Sequence, residues 1–213
     1  MPIYNGIEFI EESVSSILEQ KYTSWELIIG INGHLPNSDV YQVAKKYEKH
    51  SNKIVVLDFF EMKGKSNTLN EMLKFCKYEY VALLDVDDIW HPEKLAIQTQ
   101  KLNQYDVIGS RCVWFGDRPD IVPFIPVGDI SDFDFTSVNP IINSSSIIRK
   151  NLCYWKKEWD GIEDYDLWLR LQKQKYKFFN FKEILVKHRI HESSAFNSKG
   201  NHNKVTELLK IHF

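Results

Sequence analysis

The segment YVALLDVDDIWHPEKL, residues 80–95, delivers three carboxylates, Asp85, Asp87 and Asp88, to the end of an apolar run. Two such charges about 5 Å apart, at an effective dielectric of about 20, repel by roughly 3 kcal/mol. A divalent cation removes that conflict, and oxygen-only ligands select a hard ion, Mn²⁺ or Mg²⁺. A site with few protein ligands usually shares its metal with substrate phosphates, so a metal-bound diphosphate is the first expectation. The competing explanation is a solvated turn capping the helix that starts near Pro92, where acidic residues are favoured.

A second group lies in WDGIEDYDLWLRL, residues 159–171. Leu167, Trp168 and Leu171 form an apolar helical stripe, which places Glu163 and Asp164 in the first turn after Gly161. There a carboxylate either interacts with the helix dipole or serves as a general base for a hydroxyl proton. With a reference pKa of about 3.9, an Asp needs a site that raises the value, and Glu163 and Asp166 are the neighbours available to do so. In LVKHRIHESSAFN, residues 185–197, His188 and His191 fall on opposite faces of an extended chain. At most one is therefore expected at a given site, and imidazole is an acceptable ligand for Mn²⁺.

Stepping outward, helical patterns at 8–20, 40–50, 66–77 and 92–102 alternate with short β-rich runs at 26–31, 53–59, 80–84 and 106–108. This βα rhythm predicts an α/β domain with a mainly parallel, Rossmann-like central sheet and helices on both faces. Tyr80–Leu84 reads as a buried parallel strand carrying Asp85 and Asp87 at its carboxyl end, where open α/β sheets bind ligands. After Gly109 the rhythm changes to a strand at 111–115, a Pro- and Asp-bearing irregular stretch at 116–140, a strand at 144–148, a helix at 163–173 and a last strand at 184–190. PIYNG (residues 2–6) and IIGINGH (28–34) place polar turns after β-like residues, and KGKSN puts Lys63 and Lys65 just before a helix. Plain turns are one explanation; equally, these loops suit sheet-end contacts to a nucleotide, with Lys63 and Lys65 toward phosphate or base.

The bulk properties fit one domain: 213 residues, 43% hydrophobic, formal net charge −2. That charge gives no support for nucleic-acid binding, and no run approaches the ~20 apolar residues of a membrane span. Cys76, Cys112 and Cys153 are far apart without zinc-ligand spacing, which predicts reduced thiols and a cytoplasmic setting. VTELLKIHF is still helical in pattern where the sequence stops, so a longer chain is expected.

Taken in order from Pro2 to about Ser194, these segments resemble the family-2 glycosyltransferases of the GT-A fold. PIYNG looks like the family's opening motif, LLDVDDIWHPEKL its DxD region, GIEDYDLWLRL its catalytic acidic motif, and RIHESS a late segment where some members place a His on the metal. Short versions occur in bacteria and in large DNA viruses of algae, and the chain also resembles that viral subgroup. The resemblance implies a GT-A domain with a nucleotide-binding half at about 1–110 and a smaller antiparallel acceptor-side portion at about 111–213. It also implies that Pro2, Tyr4, Asn5, Asn32, Lys65, Asp85 and Asp87 line the donor pocket. Asp87, Asp88 and His191 would hold the metal, and Asp164, with Glu163 beside it, would be the base. Two departures are visible: the first strand is shortened, and Asn32 stands where members commonly carry Asp, keeping an acceptor for a base N–H but no charge.

The resulting expectation is an inverting, Mn²⁺- or Mg²⁺-dependent hexosyl transfer from a nucleoside diphosphate sugar, UDP first, to a hydroxyl of a glycan or glycoprotein acceptor. Trp114, Trp155 and Trp159 are candidates to border that acceptor, with core packing as their alternative. The rival functions are a nucleotidyltransferase, for which a basic Gly-rich loop at the first strand is missing, and a non-catalytic sugar-nucleotide or glycan-binding domain.

Overall fold

The computed structural model describes residues 1–117, 120–191 and 201–212. The nucleotide side is a parallel sheet of β1 (Pro2–Ile3), β2 (Leu27–Asn32) and β3 (Ile54–Phe59), in that order. β2 is the continuous apolar run LIIGIN, buried at every position, as a strand covered on both faces should be. The helices α1 (Ile10–Leu18), α2 (Asp39–Lys45) and α3 (Lys65–Met72) alternate with these strands. α1 buries Ile10, Val14 and Ile17 at helical spacing, and Ser38 caps α2 by accepting from the Tyr41 N–H at 3.3 Å. α3 lies so close to β2 that a Cβ at Gly30 would come within 2.6 Å of Met72 Sδ. β1 pairs with β2 through Pro2 and Ile3, in register against Gly30 and Ile31.

The second half comprises β4 (Tyr80–Ala82), β5 (Ile89–Trp90), α4 (Lys94–Gln98), β6 (Val107–Gly116), β7 (Gly128–Asp129), β8 (Ile147–Arg149), α5 (Glu163–Lys173), β9 (Phe178–Ile190) and α6 (Asn201–His212). Its sheet runs β4-β8-β6-β9-β5, with β7 against β9. Only β6 and β9 pair in parallel. The α/β class holds, but with six strands against three this mixed sheet, rather than the parallel one, is the larger. Tyr80–Leu84 is also corrected: the strand ends at Ala82, is half-buried, and lies antiparallel to β8. A strand's partner is a long-range matter, and here it comes from residues about 65 positions later, where local pattern has no voice.

β9 positions the site. Starting at Phe178 rather than Ile184, it follows β6 through register shifts at Ser110/Arg111 and Arg111/Cys112, which bend and twist the pair. Its far end then pairs with β5, Ile89 opposite Lys187 and Trp90 opposite Val186. That pairing lays 188–191 alongside the DVDD turn. Trp90 is itself fixed from two sides, donating its N–H to Ser16 Oγ at 3.1 Å and its Nε1–H to the Ser144 carbonyl at 2.7 Å. Behind α5, Trp155, Trp168, Phe135 and Phe178 form a second core into which α6 inserts Leu208. Among the described residues, no helix is long and apolar enough to cross a membrane.

Candidate active site

At the carboxyl ends of β1 and β2 and beside the DVDD turn opens a cleft of about 1480 Å³. This exceeds the ~300–1,000 Å³ of an ordinary small-molecule pocket and leaves room for two substrates. Pro2, Tyr4, Asn5, Asn32, Lys65, Asp85, Asp87, Glu163, Asp164 and His191 all line it, so nearly every residue singled out in the sequence converges here. The opening loops are stapled together: His34 packs its ring 5.4 Å from that of Tyr4 and hydrogen-bonds the Tyr4 carbonyl at 2.5 Å. Asn32 ends β2, is 3% exposed and lines the cleft.

The carboxylates of the turn have separate environments. Asp85 Oδ1 pairs with Lys65 Nζ at 2.7 Å, Oδ2 accepts from Asn143 Nδ2 at 2.9 Å, and its N–H donates to Ser144 Oγ at 3.0 Å. Burial alone would raise its pKa, but Lys65 and Asn143 outweigh that and hold it below the usual carboxylate range. Asp87 lies 3.0 Å from His191 Nε2, and burial, then the charges of Asp88 and Asp85, push its carboxyl up.

Asp88, expected on the metal, is instead turned into the scaffold at 1% exposure. Its Oδ1 accepts from the Arg189 N–H at 2.8 Å and its Oδ2 lies 3.1 Å from His188 Nδ1. Alternation explains the split, since consecutive residues of the turn face opposite ways and β9 supplies polar partners on the inner side. Burial opposes protonation of His188, yet Asp88, with Asp87 and Asp85 behind it, pushes the imidazole up to about 9. Arg189 completes the clamp by donating Nε–H to the Asp87 carbonyl at 2.9 Å, its guanidinium 4.3 Å from the Phe9 ring and 4.2 Å from that of Phe115. His188 and His191 both line the cleft, because β9 ends at Ile190 and strict alternation does not carry through to His191. Residues 192–194 of the RIHESS motif lie outside the described residues.

Lys65 lines the cleft with its ammonium held between carboxylates. Its Nζ bridges Asp85 at 2.7 Å and Glu163 at 3.1 Å, joining the donor carboxylates to the start of α5. Burial alone would lower its pKa, but the paired carboxylates raise it well above the ordinary lysine value. The bridge depends on α3 being docked to the 155–160 segment. Gly64, at φ +95°, lets the chain turn so that the Ser66 N–H donates to Asp160 Oδ1 at 2.8 Å, where a Cβ at 64 would collide with Asp160. Asn70 exchanges two hydrogen bonds with the Trp155 backbone, at 2.7 and 3.0 Å.

Glu163 is 3% exposed and has both oxygens engaged, Oε1 by Lys65 and Oε2 by the Gly161 N–H at 2.6 Å. Asp164 presents its carboxylate to the cleft, with Oδ2 accepting from Asn139 Nδ2 at 3.2 Å. Burial, then repulsion from Glu163, pushes its carboxyl up to about 6, while Lys65 and Asn139 act in the opposite direction. Asp166 takes no part. It is fully buried on the far side of α5, paired with Arg170 at 2.8 Å.

Trp155 (1% exposed) and Trp159 (8%) belong to the second core and are not cleft residues; Trp114 alone of the three candidates lines the cleft. Asn139, Asn143, Ser144 and Arg189 were missed by sequence reading. The first three fall at or after the irregular 116–140 stretch, whose composition marked a functional loop without saying which residues act.

The residues fit a shared divalent cation. Among the described residues no three His, Cys, Asp or Glu side chains form a preformed cage. Asp87 and His191, beside a crowd of carboxylates, present an oxygen and a nitrogen 3.0 Å apart, donor types that would suit a cation completing its shell with phosphate and water.

Residues 1–154 match the family model described as glycosyl transferase family 2. The chain belongs to that family. This transferase is 28% identical to the putative glycosyltransferase EpsE of Bacillus subtilis, over 93% of this chain and 74% of that protein. Among solved structures it superposes on Staphylococcus aureus TarS 1-349 in complex with UDP-GlcNAc, with a TM-score of 0.74, 17% identity, and coverage of 99% of this chain and 64% of that one. It also superposes on the Pyrobaculum calidifontis mannosyltransferase PcManGT in complex with GDP-Man and Mn²⁺, with a TM-score of 0.70, 15% identity, and coverage of 91% and 56%. The chain therefore spans less than two thirds of either solved transferase, and the likeness establishes a GT-A glycosyltransferase fold.

Proposed function

We propose that this family-2 glycosyltransferase moves a sugar from a nucleoside diphosphate, UDP first, to a hydroxyl of a glycan acceptor with inversion, using Mn²⁺ or Mg²⁺. The carrying observation is the meeting of two groups in one cleft: Asp87 paired with His191, and Asp164 with its carboxyl raised to about 6. A carboxylate with that pKa is ionised at neutral pH yet remains a stronger base than an ordinary Asp. UDP is favoured by the UDP-GlcNAc bound to TarS, a metal by the Mn²⁺ bound to PcManGT.

On this reading Asp85, fixed by Lys65, Asn143 and Ser144, accepts from the donor ribose, and Tyr4, Asn5 and Asn32 border the base. A cation held by Asp87 and His191 supplies charge for the leaving diphosphate. Asp88, Arg189 and His188 keep the turn in place, and Asn139 orients Asp164 toward the acceptor hydroxyl.

A panel of nucleotide sugars, scored by thermal shift with and without Mn²⁺ and followed by NMR of the product anomer, tests the proposal. One UDP-sugar is expected to stabilise the protein only with metal, and the product to have the opposite anomeric configuration to the donor. A product of retained configuration would remove Asp164 as base for a direct displacement.

Two substitutions probe the wiring. His191→Ala is expected to weaken Mn²⁺-dependent UDP binding by about tenfold or more, the scale seen for residues that support a metal; unchanged Mn²⁺ titration would take His191 off the ion. Lys65→Met removes the cation that lowers the Asp164 pKa, so the acid limb of the pH–rate profile should move to higher pH. An unmoved limb would show that the bridge does not reach the base.

A further inference from the structure

The loop IVPFIPV, residues 121–127, leaves Ile121, Val122, Phe124 and Val127 exposed at 44, 37, 72 and 47%. Exposed apolar side chains occurring singly are ordinary, but four in seven residues form a patch. The loop is also built to stay in place. The Trp114 N–H donates to the Ile121 carbonyl at 2.8 Å and the Asp120 N–H to the Trp114 carbonyl at 3.0 Å. At the other end Asn180, fully buried, donates from one Nδ2 to the carbonyls of Pro126 and Pro140, each at 2.8 Å. Between these pins Pro123 and Pro126 restrict the backbone and Ile125 is 7% exposed, anchoring the segment from below. Phe124 is thus displayed by a fixed frame.

The patch is continuous with the active site. Pro123, Phe124 and Ile125 line the same cleft as Asn139 and Asp164. The run carries no charge, and Asp117, Asp120 and Asp129 flank it in the sequence against Arg118. Such flanks disfavour an anionic lipid surface, for which basic residues are the usual attraction. They suit an uncharged apolar group arriving with the substrate.

We propose that the acceptor is amphipathic, with its hydroxyl-bearing sugar at Asp164 and an alkyl or aryl aglycone lying over Pro123, Phe124 and Val127. This rests on the reading of the Asn139–Asp164 wall as the acceptor side.

Matched methyl and n-octyl β-glycosides of glucose, galactose and N-acetylglucosamine, kept below their micelle concentrations, test it by calorimetry in the presence of UDP and Mn²⁺. For at least one sugar the octyl form is expected to bind tenfold or more tightly than the methyl form. The double variant Phe124→Ser/Val127→Ser should lose that preference while UDP affinity, measured separately, stays at the wild-type value. Phe124→Leu should retain it. Equal or undetectable binding of the octyl and methyl forms, or an octyl preference surviving in the double variant, overturns the proposal. Co-sedimentation of wild type, but not the double variant, with phosphatidylcholine vesicles free of glycoside also overturns it, by assigning the patch to a membrane surface. UDP and Mn²⁺ binding is scored independently, so failure of the donor reading is distinguishable from failure of this one.

Discussion

Asp164→Asn is expected to lower turnover by about 10² or more while leaving UDP affinity intact, the signature of a lost general base. Asn keeps the size of the side chain and the contact with Asn139 but cannot take a proton. In the wild type the rate should fall as pH drops through about 6, where burial and Glu163 place the Asp164 carboxyl. The residual rate of the variant should be flat there. Stability supplies an independent reading with the opposite sign. Because the folded pKa is raised above the ordinary Asp value of 3.8, the folded chain holds a proton between that value and about 6 that the unfolded chain has released. Stability contributed by this group is therefore present at low pH and lost as pH rises through about 6. At pH 7.5 the variant is freed of that cost, on the order of 1–3 kcal/mol, and should melt a few degrees higher than wild type. A variant that is both fully active and no more stable would move the base elsewhere, with Glu163 next.

Asp87→Ala should abolish the metal dependence of UDP binding. Wild-type affinity for UDP is expected to drop by about 10² or more in excess chelator, since even supporting residues of metal sites cost 10–100-fold. In the variant, titrations with Mn²⁺ and with chelator should coincide. The variant should not unfold, because Asp87 is a carboxylate held up by burial and by repulsion from Asp88 and Asp85, and its removal relieves that conflict. Asp88→Ala should behave differently: it strips the Arg189 N–H and His188 of their buried partner and is expected to lower the melting temperature. Calorimetry of the wild type decides the matter, and equal UDP affinity with and without metal would remove the metal-bridged diphosphate from the account.

Much of the site was legible in the chain because its chemistry is carried by short segments. The DVDD run concentrates charge that demands a partner, and GIEDYD puts two carboxylates at a helix start; both lie in the cleft as expected. What misled was orientation. Asp87 and Asp88 are neighbours of the same type, and only the pairing of β5 with β9 sends one to the cleft and the other into the scaffold. For Lys65, nothing local reveals that Glu163, 98 positions later, would meet its ammonium at 3.1 Å. The tryptophans were open between two readings: hydrophobic size is visible in sequence, but whether Trp159 packs behind α5 or borders a cleft is not.

The sequence by itself determined the α/β class and which segments carry reactive groups, because hydrophobic period and clustered charge act over a few residues. The tertiary structure alone decided how the second sheet is ordered, which carboxylates turn into the cleft, and that burial and Glu163 raise the Asp164 carboxyl. Those properties depend on desolvation and on Coulomb terms between groups far apart in sequence, whose size is set by a few ångströms of separation that only packing fixes.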